Sequence, residues 1–159
     1  MCRAWHDPPL ERFYSEYMVP EKMQTIVQTF QTAPKQMRLQ LLLEYSKKVP
    51  PLPQELAENH DELERVHECQ TPFFIATEVV DDKVQFFFDA PPEAPTTRGF
   101  AGVLSEGLNG LSPDEVLSTP DNFYEDLKLG EVISPLRLRG MTAIMGRLKR
   151  QVREHQGLE

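Results

Sequence analysis

The chain has 159 residues, 40% of them hydrophobic and 26% charged, with a formal net charge of −8. That is enough chain for one domain with its own core, and the composition is globular rather than disordered. The acidic balance argues against nucleic-acid binding, which needs clustered Lys and Arg to displace counterions from phosphates.

No run approaches the ~20 apolar residues of a membrane span. The start, Met1-Cys2-Arg3-Ala4-Trp5-His6-Asp7-Pro8-Pro9, lacks the apolar core of a signal peptide. Two cysteines, Cys2 and Cys69, give neither a disulfide framework nor a zinc spacing, and their scarcity suits a reducing compartment. A cytoplasmic protein without membrane contact is expected, with Cys2 incidental.

Residues 1–18, with Pro8, Pro9 and aromatics of no clean period, read as a tail; 19–153 form the domain and 154–159 a second tail. From Pro20 a helix is predicted, with Met23, Ile26, Val27 and Phe30 spaced along one face. Pro34 ends it and opens a second helix to Lys47 that carries Leu39, Leu41, Leu42, Leu43 and Tyr45. Val49-Pro50-Pro51-Leu52-Pro53 is extended, and residues 54–64 form an irregular connector with one turn of helix. Two strands follow, Phe73 to Val80 and Lys83 to Asp89, joined by a tight turn at Asp81-Asp82. Val84, Phe86 and Phe88 alternate along the second, where Phe87 implies partial cover of the other face. A short strand ending near Val66 completes a small antiparallel sheet and leaves Cys69 in the loop between its first two strands.

The C-terminal half reads as helical. Thr96 or Thr97 is expected to cap a helix from Arg98 to Asn109, with Phe100, Val103, Leu104 and Leu108 inward and Gly110 ending it. Ser112 and Glu115 form a capping box with Pro113 at the first helical position and Leu111 stapled to Val116. A short helical piece follows around Asn122 to Leu127. Ser134-Pro135 opens the last helix, whose stripe is Met141, Ile144, Met145, Leu148 and Val152. Its basic end, Arg147, Lys149, Arg150 and Arg153, complements the helix dipole. Helices, then a small three-stranded antiparallel sheet, then helices make an α+β domain.

Cys69 is the leading candidate for chemistry. A buried inert cysteine is nearly as good a reading, since free Cys is among the most buried residue types. Polar Glu68, Gln70 and Thr71, and Pro72, which cannot donate to a sheet ladder, mark its surroundings as loop. Local charge is mixed: Arg65 and His67 favour a thiolate, Glu68 opposes one. An ordinary thiol of pKa about 8.5 is only a few per cent ionised at neutral pH, which suits an acceptor better than an autonomous catalyst. A Cys–His hydrolase through His67 is a distant alternative, because such dyads unite residues far apart in sequence. The histidines and cysteines show no paired metal spacing, and no dinucleotide or P-loop glycine pattern occurs. Arg98 and Arg137, near two helix starts, read on their own as surface arginines.

Taken together, three segments resemble the SufE family. Arg65-Val66-His67-Glu68-Cys69-Gln70-Thr71-Pro72 is similar to its cysteine motif, in a variant with Glu for the usual glycine and Thr for serine. Ala94-Pro95-Thr96-Thr97-Arg98-Gly99-Phe100 resembles the start of its long central helix. Ile133-Ser134-Pro135-Leu136-Arg137-Leu138-Arg139-Gly140-Met141 resembles its Ser/Thr-Pro-x-Arg-x-x-Gly signature. The resemblance runs over residues 22 to 152 and implies an α+β domain like that of cluster scaffold proteins. It implies that Cys69 accepts sulfur as a persulfide from a pyridoxal-phosphate cysteine desulfurase, stimulates that enzyme, and passes the sulfur to an iron–sulfur scaffold. Arg65, Gln70, Thr71 and Arg137 would support the loop or the partner. No cofactor or metal of its own is implied, and self-association to a homodimer stays open. The alternative is a partner-binding module in which Cys69 is structural.

Overall fold

The computed structural model describes residues 19–157. The tail expected over residues 1–18, Cys2 within it, lies outside them. Helices α1 (Glu21–Thr32) and α2 (Lys35–Ser46) each follow a proline, Pro20 and Pro34, whose fixed φ leads the chain into the first turn. As its spacing predicts, α1 buries Met23, Ile26 and Phe30. In α2 only Arg38 and Leu42 are buried, and Leu39 stays 41% exposed. The reason lies in the helix it crosses, α4 (Pro95–Leu108). A Cβ on Gly102 would stand 1.9 Å from the Tyr45 carbonyl oxygen, and one on Gly99 2.4 Å from that of Leu42. The two helices thus meet backbone to backbone, which a wide apolar stripe would prevent.

Residues 49–53 are non-helical as expected. The connector after them holds more helix than one turn, namely α3 (Gln54–Glu58) and a 3-10 turn at His60–Glu62. The sheet has three antiparallel strands in the order β1 (Glu64–Arg65), β2 (Phe74–Val80), β3 (Lys83–Asp89). Asp81 (φ 53°) and Asp82 (φ 61°) are both left-handed, which is the geometry a two-residue hairpin turn requires and a short polar side chain tolerates. Val84, Phe86 and Phe88 point into the core and Phe87 is half-covered. The outer edge of β3 is closed by the segment after α4. There the Asn109 side-chain oxygen accepts from the Phe86 N–H at 2.8 Å, and the Val84 N–H donates to the Leu111 carbonyl at 2.8 Å.

Neither Thr96 nor Thr97 caps α4. Pro95 takes the first helical position and Ala94 precedes it, so the helix starts three residues earlier than expected and Thr96 lies within its first turn. Helix α5 (Pro113–Ser118) carries the Ser112–Glu115 capping box in both directions. After 3-10 turns at Phe123–Glu125 and Leu129–Glu131, α6 (Pro135–His155) opens with the Ser134 hydroxyl accepting from the Arg137 N–H. It buries Met141, Ile144, Met145, Leu148 and Val152, and also Lys149, whose ammonium meets Asp121 at 2.5 Å. At its end His155 Nε2 donates to the Thr77 carbonyl at 2.7 Å. One core results, with Ile75, Phe86 and Phe88 of the sheet meeting Phe100 and Leu104 of α4 and Ile144 and Leu148 of α6. This is the expected α+β architecture. Among the described residues no helix is long and apolar enough to cross a membrane.

Candidate functional site

The loop of residues 66–73 joins β1 to β2, and both of its ends are fixed. Val66 and Phe73 are fully buried, and the Val66 N–H donates to the Phe73 carbonyl at 2.8 Å. Between these anchors His67, Glu68, Gln70 and Pro72 reach towards solvent. The Cys69 N–H donates to the Val66 carbonyl at 3.2 Å, closing a tight turn. Cys69 itself is half-buried and packs against the core. Room for it comes from α6: a Cβ at Gly140 would lie 3.2 Å from Cys69 Sγ and 3.8 Å from the Glu68 carbonyl oxygen. Any side chain at that turn of the helix would press on the sulfur.

Beside the thiol opens a cleft of about 220 Å³. The loop contributes Glu68, Cys69, Gln70 and Thr71, the start of α4 contributes Thr96 and Thr97, and α6 contributes Arg137 and Met141. Arg137 Nη1 donates to Thr96 Oγ1 at 3.1 Å, which ties the first turns of the two helices into one wall. Both helix starts therefore border the cleft together with the Arg137 guanidinium, and the carboxylates of Glu68 and Glu93 line it as well.

Behind the loop lies an ion-pair network. Arg147 donates from Nη1 to Glu64 Oε2 at 2.7 Å, and from Nη2 and Nε to the Glu68 carboxylate at 2.8 and 3.2 Å. Glu64 also pairs with Arg150 and accepts from Gln151 Nε2 at 3.1 Å. Burial pushes the Glu64 carboxyl up, but these hydrogen bonds and the Arg150 charge outweigh it and hold the group below the usual carboxylate range. The hydrogen bond from Arg147 does the same for Glu68. The thiol moves the other way. Burial, then the Glu68 charge, pushes Cys69 up to about 11 against the opposing pull of Arg147. At pH 7 only on the order of one thiol in ten thousand would be ionised.

Of the residues singled out in the sequence, Cys69, Gln70, Thr71 and Arg137 share the cleft, whereas Arg65 does not line it. Arg65 sits exposed on β1, opposite Phe74. The cation that acts on the thiol is Arg147 rather than His67 or Arg65. By sequence Arg147 belongs with the helix dipole, and Gly140 and Thr96 do not stand out as site residues. A signal for Arg147 and Gly140 existed: they are seven residues, two helical turns, apart and so share a face of α6. Among the described residues no cluster of His, Cys, Asp or Glu is suited to hold a metal ion.

A small antiparallel sheet packed on helices, with the half-buried thiol of Cys69 in its first loop, defines an α+β domain. The chain belongs to the SufE family: residues 24–152 match the family model described as an Fe-S metabolism associated domain. It is 44% identical to an uncharacterized SufE-like protein of Mycobacterium tuberculosis, over 86% of this chain and 94% of that protein. A Plasmodium vivax protein named cysteine desulfuration protein SufE is 26% identical over 84% of this chain and 54% of its own length. The fold superposes on the solution structure of a hypothetical protein from Thermus thermophilus with a TM-score of 0.79. That protein is 49% identical, with 88% of this chain and 99% of the other covered.

Proposed function

We propose that this protein is a sulfur carrier that takes persulfide sulfur from a pyridoxal-phosphate cysteine desulfurase onto Cys69, stimulates that enzyme, and delivers the sulfur for iron–sulfur cluster assembly. One observation carries the reading: Cys69 stands in a loop anchored at both ends and opens onto a cleft large enough for an added sulfur atom. Membership of the SufE family and the name of the Plasmodium relative support it. In the transfer, the Cys69 thiolate attacks the outer sulfur of the donor persulfide. A new S–S bond forms on Cys69, the donor S–S bond breaks, and the donor thiolate leaves and takes up the proton that Cys69 lost. No external oxidant or reductant is consumed.

A thiol held at about 11 needs activation, and the donor supplies it on docking, which keeps the idle carrier from random oxidation. The carried persulfide anion suits the wall formed by Arg137, Thr96 and the two helix starts, with Gln70 and Thr71 shaping the opposite side. Arg65 serves at a distance, as part of the strand that fixes the loop. The carrier works in a reducing cytoplasm and needs no cofactor of its own. The close approach of Gly140 favours a second reading, in which Cys69 only packs against α6 and the domain binds its partner by other surfaces. Desulfurase turnover without added reductant separates the two: the wild type should accelerate it and Cys69→Ser should not. Full stimulation by Cys69→Ser would overturn the carrier role.

A further inference from the structure

Arg147 does more than decorate α6. Its guanidinium grips Glu68 with Nε and Nη2 while Nη1 grips Glu64, so one side chain clamps the carboxylate next to Cys69 and the strand that enters the loop. Glu64 is held from the same helix by Arg150 and Gln151. Two turns earlier on that helix Gly140 receives the thiol. The stretch from His67 to Pro72 has few other ties: its turn is closed by the single Cys69 N–H bond, and its buried anchors are at the ends. A charge pair that bridges 79 residues of sequence thus ties the middle of the loop to α6.

We propose that Glu68 and Arg147 form a latch that seats the Cys69 loop against α6, making Arg147 a positioning residue for sulfur acceptance. The thiol lies beside Gly140 while the pair is closed, and it becomes available when the pair parts. This rests on the carrier reading for its purpose, yet the latch itself is measurable without a desulfurase.

The decisive variant is Arg147→Gln, in a Cys2→Ser background so that only Cys69 reacts with an aromatic disulfide reagent. Electrostatics alone and the latch give opposite signs. Arg147 pulls the thiol pKa down, so losing its charge alone would slow labelling. Losing the latch would speed it. Because the Arg147 and Glu68 side chains are 24% and 45% exposed, the pair has the strength of a partly solvated bridge, and a gain of about twofold to fivefold is expected. Read by hydrogen exchange at the Cys69 amide, which reports opening rather than thiol charge, Glu68→Gln combined with Arg147→Gln should exchange no faster than Arg147→Gln alone, since a latch opens once. Labelling that is slower or unchanged in Arg147→Gln overturns the proposal.

Should Arg147→Gln fail to fold, Glu68→Gln read by hydrogen exchange keeps the test. Exchange at the Cys69 amide should accelerate while the β2–β3 amides keep wild-type protection, and equal exchange at Cys69 would overturn the latch. The two readings fail separately. Sulfur can reach Cys69 in a protein whose labelling ignores Arg147, and a working latch can guard a thiol that never receives sulfur.

Discussion

Gly140→Ala is the sharpest perturbation of the site, because two opposing effects act on different states. The added Cβ would lie 3.2 Å from Cys69 Sγ, inside the 3.5–4.0 Å or so at which heavy atoms pack comfortably, whereas 3.8 Å to the Glu68 carbonyl oxygen and to Cys69 Cα is ordinary contact. The sulfur must therefore yield by a few tenths of an ångström, a displacement that costs about 1 kcal/mol when met by moving χ1 off its well. Replacing glycine by alanine inside a helix gains about 0.5–1 kcal/mol. The gain persists whether the loop is seated or released, but the strain exists only when it is seated. Global stability should stay within about 0.5 kcal/mol of wild type, while the seated loop loses about 1 kcal/mol against the released one, a factor of about five. Two assays on a Cys2→Ser background read the two halves: the urea midpoint and the rate of Cys69 modification by an aromatic disulfide. A variant of unchanged stability that labels about fivefold faster supports the packing argument. One that labels at the wild-type rate would refute it, as would a loss of more than about 2 kcal/mol, which would mean that the loop cannot give way.

Other consequences are as definite. Since the Cys69 pKa is raised, the stability that its burial supports is intact below the usual thiol value of 9.0 and is lost as pH rises through about 11. In the Cys2→Ser background the Cys69 labelling rate should accordingly climb about tenfold per pH unit through pH 9 without levelling; a plateau near 9 would identify an exposed, unperturbed thiol. Gly102→Ala drives a Cβ into the Tyr45 carbonyl at 1.9 Å, so the urea midpoint should drop by an amount equivalent to about 3 kcal/mol, and a loss under 1 kcal/mol would mean that α2 and α4 do not touch there. Ser112→Ala removes the hydroxyl that accepts from the Glu115 N–H, and should lower stability by about 1 kcal/mol in the same measurement while leaving Cys69 labelling unchanged.

Local signals in the chain were legible where a few adjacent residues decide the outcome. Asp81-Asp82 between alternating apolar runs marks the hairpin, Ser112 with Glu115 marks α5, and Ser134-Pro135 marks α6. The start of α4 differs from expectation because a possible threonine cap competes with Pro95, and a proline pre-set for the first helical position wins. Leu39 looks like a core residue by type, yet α2 is held by backbone contact with Gly99 and Gly102, which no count of apolar residues on α2 itself conveys. For the site, the motif around Cys69 and the resemblance it carries put Arg65, Cys69, Gln70, Thr71 and Arg137 together, and the cleft contains all of these but Arg65. What remained hidden is long-range. The raised thiol pKa arises from burial against α6, and the grip of Arg147 on Glu68 joins residues 79 positions apart; such pairings are set by how the sheet lies on the helix, not by neighbours in the chain.

The measurement that bears most directly on the carrier role is the intact mass of the protein after incubation with a cysteine desulfurase and cysteine, followed by peptide mapping. The mass of one sulfur atom should appear on the peptide containing Cys69, vanish on treatment with a thiol reductant, and be absent from Cys69→Ser. A desulfurase that turns over normally while Cys69 stays unmodified would contradict the account.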